Sequence, residues 1–542
     1  MPRRDAPLLW LAALLCLGAV LAHGGLALLL GQDANWDLRN YHFYNPYAFL
    51  AGRRDFDVLP AHVATFYNPL MHIPFYLLVS HAPPRLTGFV MGAVQGLNFA
   101  LVLAIAWTCL ALPVPRRRLV VAALLAGAGL GGAMAISEIG TSFGDNLLSL
   151  LMLGALAILV WRAGQLGQGA LRPALGWALL AGLIAGLATG LKQPMVVFAL
   201  GLCLAGFAVP GPFGRRFAVA FTFGIGVLIG IAASDGFWLL DMWRRYRDPL
   251  FPYFNEYFRS PWATIGDYKD NRFAANSLRK LTLYPYLFTF GRQGVSEIAF
   301  FDLRPVLVYS LFLLWPLAAL WRRWRGGMTA TALTAAAPAE IVLTTIGVSW
   351  LFWMVLFGVY RYYLPMEFVL PLAMVLLLDR LPLGNRGKIA AATALLLAAL
   401  VTVQPGNWGR VAWGKHYFGV PVPPLAEPDR TIVLMAGHDA TAYVVPAFPP
   451  AVRFVRIQGW FTGPSPTPNL YDRLMQDLVK RHRGPLFILF RKNEETETAR
   501  DALKAYGLNM QDRDCRDLYT ELERNFANPL AFCPVTPIGS GS

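Results

Sequence analysis

Residues 8–50 read LLWLAALLCLGAVLAHGGLALLLGQDANWDLRNYHFYNPYAFL. Positions 8–30 hold no aspartate, glutamate, lysine or arginine, and a run of about 20 apolar residues is long enough to cross the hydrocarbon core as a helix. No secretory cleavage pattern follows it, so the reading is a retained helix. The character then changes within a few residues. Asp33, Asp37, Asp55 and Asp57, three histidines (His42, His62, His72) and a dense set of tyrosines and prolines crowd into 31–79. A greasy segment that delivers carboxylates and aromatics to the membrane boundary sets both the fold class and the place to look for function.

The rest of the chain repeats the first half of that pattern. Of 542 residues, 56% are hydrophobic and 15% charged, against about a quarter charged in a soluble domain. The expectation is a polytopic α-helical membrane protein embedded in a lipid bilayer. A formal charge of +15 would point to nucleic acid in a soluble protein. Here the basic residues fall between apolar runs: Arg3/Arg4, Arg116–Arg118, Arg162/Arg172, Arg215/Arg216, Arg322/Arg323/Arg325 and Arg380/Arg386/Lys388. They occupy every second short loop, which marks the cytoplasmic side, and no nucleic-acid partner is expected. Eleven spans follow: 8–30, 86–111, 118–136, 146–163, 174–190, 195–210, 216–234, 305–321, 338–359, 366–379 and 389–403. The N-terminus is then cytoplasmic, while a first outer loop (31–84), a long outer loop (235–304) and a tail (404–542) lie outside.

Within the first outer loop, 40–50 and 69–80 read as helices lying in the interface. The tail reads as a small α/β domain. TIVLMA (431–436) and PLFILF (485–490) are short buried-strand runs, and 469–482 and 497–508 have helical spacing. Cys515 and Cys533 can pair if the tail faces an oxidising compartment. The loop 246–273 is too long for a plain connection and is expected to lie over a cavity.

Sorted by side, the unusual polar residues share the outer face. Ionisable groups at a membrane boundary are costly and usually functional. Asp37 in WDLRNY is either a base or the N-cap of the interfacial helix after it, with Asp33 as the second carboxylate or the cap. Asp55 and Asp57 read as a solvated turn paired with Arg53 and Arg54. The histidines lack a ligand spacing, so no metal centre is expected; no cofactor is required, and a divalent cation is not indicated. Glu138 and Asp145 in SEIGTSFGDNLLS read as acceptor or sugar ligands, Asp145 also as a helix N-cap. Lys192 in GLATGLKQP suits a helix C-terminus or an anionic ligand. Arg361, among Tyr360, Tyr362 and Tyr363, runs against the positive-inside trend and calls for an anionic partner, the tyrosines being ordinary interface anchors. Tyr41, Asp267 and Asp270 complete the candidate sugar and acceptor contacts.

Carboxylates beside two cations at headgroup depth suit a sugar carried on a polyprenyl phosphate. The phosphate is already a weak base when it leaves, cations stabilise its developing charge, and one carboxylate takes the acceptor proton. WDLRNYHFYNPYAFLAG with FYNPL (66–70), GLATGLKQP and RYYLP are similar to motifs of the GT-C superfamily of integral membrane glycosyltransferases. They resemble most the family-87 mannosyltransferases and more distantly the aminoarabinose and protein O-mannosyl transferases. The resemblance covers roughly residues 8–400. It implies a GT-C-like catalytic domain over 1–403, a periplasmic face of a bacterial inner membrane, and inverting transfer from a polyprenyl-phosphate sugar to a glycan or lipid acceptor. It also implies Asp37 as the base and Lys192 and Arg361 as phosphate ligands. Two departures stand out: YNPL has one proline where relatives often have two, and Asp33 and Asp37 replace a DxD pair. The second leaves the choice between those aspartates open, Asp37 being favoured because the aromatic run follows it directly. A polymerase or ligase acting on diphosphate-linked glycans would share the cations. A lipid or sugar transporter would place its charges at mid-membrane instead.

Overall fold

The computed structural model describes residues 6–291, 294–325, 332–523 and 529–539. Arg3 and Arg4, and the side chains of Arg322, Arg323 and Arg325, lie outside the described residues. Among the described residues six helices are long and apolar enough to cross a membrane: Ala6–Leu30, Pro84–Cys109, Leu171–Leu191, Phe213–Tyr246, Arg304–Trp321 and Ala336–Leu356. A seventh candidate is the pair Tyr360–Glu367 and Leu370–Asp379, bent by 57° at its break. The chain is therefore a polytopic helical membrane protein. The other segments read as spans are helices too, Pro115–Leu130, Asp145–Trp161, Val196–Ala205 and Asn385–Thr402, but they are shorter or more charged.

The first helix shows why lipid is its solvent. Leu9, Trp10, Leu14, Leu17, Leu21 and Leu29 are all exposed, an arrangement that water would penalise along the whole helix. Its other face is gripped by Pro84–Gly96, where Gly92 and Gly96 bring the two backbones together; a Cβ at Gly96 would lie 2.8 Å from Val20 Cα. Small residues four apart allow such an approach without a hydrophobic driving force. Leu171–Leu191 and Phe213–Tyr246 pack in the same way through Gly182 and Gly186, where a Cβ would fall on the carbonyls of Phe223 and Val227.

Phe213–Tyr246 has 34 residues, about 51 Å of helix against a hydrocarbon core of about 30 Å. The sequence reading ends this span at 234, but the helix runs on because Trp238 and Met242 continue its buried stripe. It stops only where Arg247 turns left-handed at φ 58°. The long loop thus begins at 247, and the extra turns project toward the tail.

The tail holds a six-stranded sheet. Its strands are β1 (Ile432–Met435), β2 (Arg453–Arg456), β3 (Leu486–Arg491), β4 (Leu508–Met510), β5 (Arg516–Leu518) and β6 (Leu530–Pro537). The order is β2-β1-β3-β6-β4, with β5 also on β6. β1 runs parallel to β2 and β3, and every residue of it is buried, as expected of a strand covered on both faces. β6 is antiparallel to β3, β4 and β5. Helix Leu470–Arg481 joins β2 to β3 and starts with a capping box between Asn469 and Asp472. Cys515 and Cys533 are disulfide-bonded.

The first outer loop is woven into this sheet. Val58 donates to Phe454 at 2.8 Å and accepts from Arg456 at 2.9 Å, so residue 58 extends the β2 edge. Asp57 is buried, paired with Arg53 at 2.8 Å, and accepts from the Phe454 amide at 3.0 Å. This corrects the solvated turn read from sequence: the β2 edge supplies backbone groups that need a buried partner. Asp55 does stay exposed, paired with Arg245 of the extended helix, and Arg54 pairs with Asp241 at 2.6 Å. Trp238, Met242, Phe251, Ala263 and Tyr471 share one hydrophobic cluster with the sheet. The first loop, the long loop and the tail therefore lie on the same side of the helices.

Candidate functional site

The site collects the helix ends on that side. Asp37 follows the first helix, Asp145 opens Asp145–Trp161, Lys192 closes Leu171–Leu191, and Arg361 lies in the short turn before Leu364–Glu367. Arg361 Nη1 donates to Asp37 Oδ2 at 2.7 Å. Lys192 Nζ donates to Asp145 Oδ1 and Oδ2 at 2.6 and 2.7 Å. The two ion pairs share aromatic walls. Arg361 lies 4.5 Å from the Phe143 ring centroid and 5.2 Å from that of Tyr362. Lys192 Nζ lies 5.0 Å from the Tyr362 centroid and 3.5 Å from the Phe143 carbonyl oxygen. Trp408, from the strap that enters the tail, closes the Arg361 side at 5.7 Å.

Asp33 does a different job. Its carboxylate accepts from Asn35 (backbone 3.1 Å, side chain 2.8 Å) and from Ser142 (amide 2.8 Å, hydroxyl 2.9 Å). Asn35 Oδ1 in turn accepts from the Leu38 amide at 2.8 Å. Asn35, not Asp37, thus caps the single π-helical turn Leu38–His42, and Asp37 makes no capping bond. One carboxylate anchors the loop and the other is left to Arg361. Asp145 is likewise no N-cap: Gly144 holds that position with φ 75°, and Asp145 is the first helical residue.

Glu138 is fully buried and, among the described residues, neither carboxyl oxygen has a hydrogen-bond partner. Burial, then the nearby Asp145 charge, pushes its pKa well above the usual carboxylate range, so it is held neutral. Tyr41 is buried, edge-on to Tyr67 at 5.1 Å and to His72 at 5.6 Å. His42 stacks on His72 at 3.9 Å and bonds to the Ser142 hydroxyl at 2.8 Å. Burial, then Lys192 and Arg361, lowers the His42 pKa well below its ordinary value, so the imidazole is uncharged. Tyr67 and Tyr253 meet hydroxyl to hydroxyl at 2.5 Å, which brings the long loop against Tyr67, the neighbour of Tyr41. Asp267 and Asp270 lie farther out on that loop. Asp270 pairs with Arg272 at 2.6 Å and Asp267 accepts from Asn271 at 3.2 Å; neither makes a hydrogen bond or ion pair with the four charged residues of the ion pairs.

Tyr360 and Tyr363 are not interface anchors. Both are fully buried against Trp353, because the bent helix pair turns them inward. Sequence reasoning missed Phe143, Ser142, Trp408 and the Tyr67–Tyr253 contact. Phe143 lies inside SEIGTSFGDN, but nothing local marks it as the wall of a cation. Among the described residues no group of three or more histidines, cysteines or carboxylates is placed to hold a metal ion.

A polytopic helical membrane protein whose loop-side helix ends gather two cations, their carboxylates and an aromatic wall is the class the geometry defines. No protein-family model matches the chain, and no curated protein matches it.

Proposed function

We propose that the protein is an inverting glycosyltransferase that moves a sugar from polyprenyl phosphate to a hydroxyl of a glycan or lipid acceptor. In this reading the helices form eleven GT-C-like spans in a bacterial inner membrane, and the loop side is periplasmic. The disulfide between Cys515 and Cys533 supports an oxidising compartment for the tail. The observation that carries the reading is the pair of ion pairs around Phe143 and Tyr362.

At rest each cation is neutralised by a carboxylate. The donor phosphate enters between Lys192 and Arg361 and takes Arg361 from Asp37. The freed carboxylate is then available as a base beside the anomeric carbon. The acceptor oxygen attacks that carbon from the face opposite the phosphate, and its proton passes to Asp37. The bond from the anomeric carbon to the phosphate oxygen breaks with its electron pair going to the phosphate, whose added charge the two cations hold. Configuration inverts. Asp33 keeps the loop in register, Tyr41 borders the sugar, and Asp267 and Asp270 offer acceptor contacts from above.

Purified protein is offered a panel of labelled polyprenyl-phosphate sugars with a membrane glycan extract as acceptor, and free polyprenyl phosphate is counted. Release that Asp37→Asn abolishes supports the assignment. Release from none of the donors would move the assignment to diphosphate-linked glycans or to transport.

A further inference from the structure

A concavity lies on the same side of the helices as the ion-pair site. It has a volume of about 310 Å³ and is enclosed by the first outer loop, the projecting end of Phe213–Tyr246, the long loop and the tail helix Leu470–Arg481. Only a short backbone stretch separates it from Tyr41: Phe66 lines the cavity, while its neighbour Tyr67 packs on Tyr41 and Tyr253.

The walls are aromatic. Tyr246 and Tyr471 meet hydroxyl to hydroxyl at 2.6 Å, and Trp262 lies edge-on to Tyr471 with centroids 4.9 Å apart. The charged residues near the mouth satisfy each other. Arg54 pairs with Asp241 at 2.6 Å, and Arg245 pairs with Asp241 at 2.9 Å and with Asp55. Two cations against two anions leave no net charge to recruit an ion. One lining residue is left short. Asn45 is buried, and its Nδ2 donates to the carbonyls of Ala64 (2.8 Å) and Tyr67 (3.3 Å), while its Oδ1 has no partner among the described residues. Those two carbonyls fix the amide orientation, so the orphan is an acceptor, and it is closed off from the cavity.

We propose that this cavity binds a neutral pyranose ring of the acceptor glycan. The word acceptor rests on the transferase reading above; the sugar site itself does not. Ring C–H faces pack on Trp262 and Tyr471, and vicinal hydroxyls bridge the guanidinium and carboxylate groups at the mouth. The volume suits one ring or two, and the self-neutralised rim discriminates against a phosphate. Residues from three separate parts of the chain meet here, so the tail holds the acceptor against the loop that carries Asp37.

The test is direct binding. The full-length detergent-purified protein is titrated with methyl glycosides and short oligosaccharides of mannose, glucose, galactose and arabinose, following tryptophan fluorescence and equilibrium dialysis. Saturable binding of at least one of them is expected, weakened about tenfold by Trp262→Ala through lost stacking. It should also be weakened by Leu474→Trp, which fills the mouth from a partly exposed position, and be unchanged in Asp37→Asn. No saturable binding at millimolar sugar overturns the proposal. So does binding that ignores both cavity variants, or that vanishes in Asp37→Asn, which would place the sugar among the ion pairs. If glycosides bind as expected while no polyprenyl phosphate is ever released, the transferase reading fails and the cavity stands.

Discussion

Asp37→Asn separates two effects that a merely structural ion pair would not separate. Asp37 accepts from Arg361 at 2.7 Å with side chains only 14% and 9% exposed. A hydrogen bond between charged groups at such a site contributes about 1.5–3 kcal/mol net, and the donor phosphate has to displace it. Asparagine keeps the shape and removes the charge, so most of that amount is returned to the incoming phosphate. At 1.4 kcal/mol per decade, donor affinity rises by roughly 10–100-fold. Turnover moves the other way, since losing a general base costs about 10²–10⁴-fold, or roughly 3–5 kcal/mol of barrier. The assay is paired: competition binding of a labelled polyprenyl-phosphate sugar, and single-turnover release of polyprenyl phosphate, on the same preparation. Tighter binding with slower release is the expected signature. Weaker donor binding in Asp37→Asn, or turnover within threefold of wild type, would refute the handover of Arg361 from carboxylate to phosphate.

Lys192→Met leaves the fully buried Asp145 carboxylate without its counter-charge, which costs about 3–5 kcal/mol of stability; adding Asp145→Asn should restore most of it, and a double variant no more stable than the single would contradict the pairing. Glu138→Gln should change the pH dependence of stability. The wild-type carboxyl, its pKa raised above 4.5 by burial, keeps a proton that the unfolded chain releases. The wild type therefore loses stability as pH rises from 4.5 toward the folded pKa, by at most about 1.4 kcal/mol per pH unit. The glutamine variant lacks this slope, and parallel denaturation curves between about pH 5 and pH 8 would count against a neutral Glu138. Arg410 donates to the carbonyls of Ser137 (3.0 Å), Ile139 (2.5 Å) and Gly31 (3.3 Å), so Arg410→Ala should destabilise by about 2–3 kcal/mol. Isothermal denaturation in detergent measures this, and a loss below about 0.5 kcal/mol would show that the strap is held instead by Trp413, whose indole donates to the Leu28 carbonyl at 2.8 Å, and by Gln32, whose amide donates to the Val411 carbonyl at 2.9 Å.

The sequence by itself determined that the chain lies in a membrane and where its main helices run, because an apolar run of given length has one comfortable environment whatever its neighbours are. It also marked Asp37, Lys192 and Arg361, since a charge at a helix end beside lipid is conspicuous without any partner in view. In the tail, β1 and β3 were legible as continuous apolar runs. β2 (RFVR) and β6 (LAFCPVTP) were not, because flanking arginines and internal prolines hide strands that neighbouring edges stabilise. The end of Phe213–Tyr246 was misplaced for a related reason: past 234 the helix turns amphipathic and is covered by the first outer loop at Trp238 and by the tail at Tyr246 rather than by lipid.

Only the tertiary structure decided which charge meets which. Asp37 and Arg361 are 324 positions apart, and Asp145 and Lys192 are 47 apart. No local pattern encodes such a pairing; it follows from how the helices pack. The same packing gives the two aspartates different partners. Asp33 accepts four protein groups from Asn35 and Ser142 and is spent on holding the loop, whereas Asp37, four residues on, faces a single arginine. Two identical side chains in one short stretch differ in partners because a carboxylate's surroundings come from distant parts of the chain.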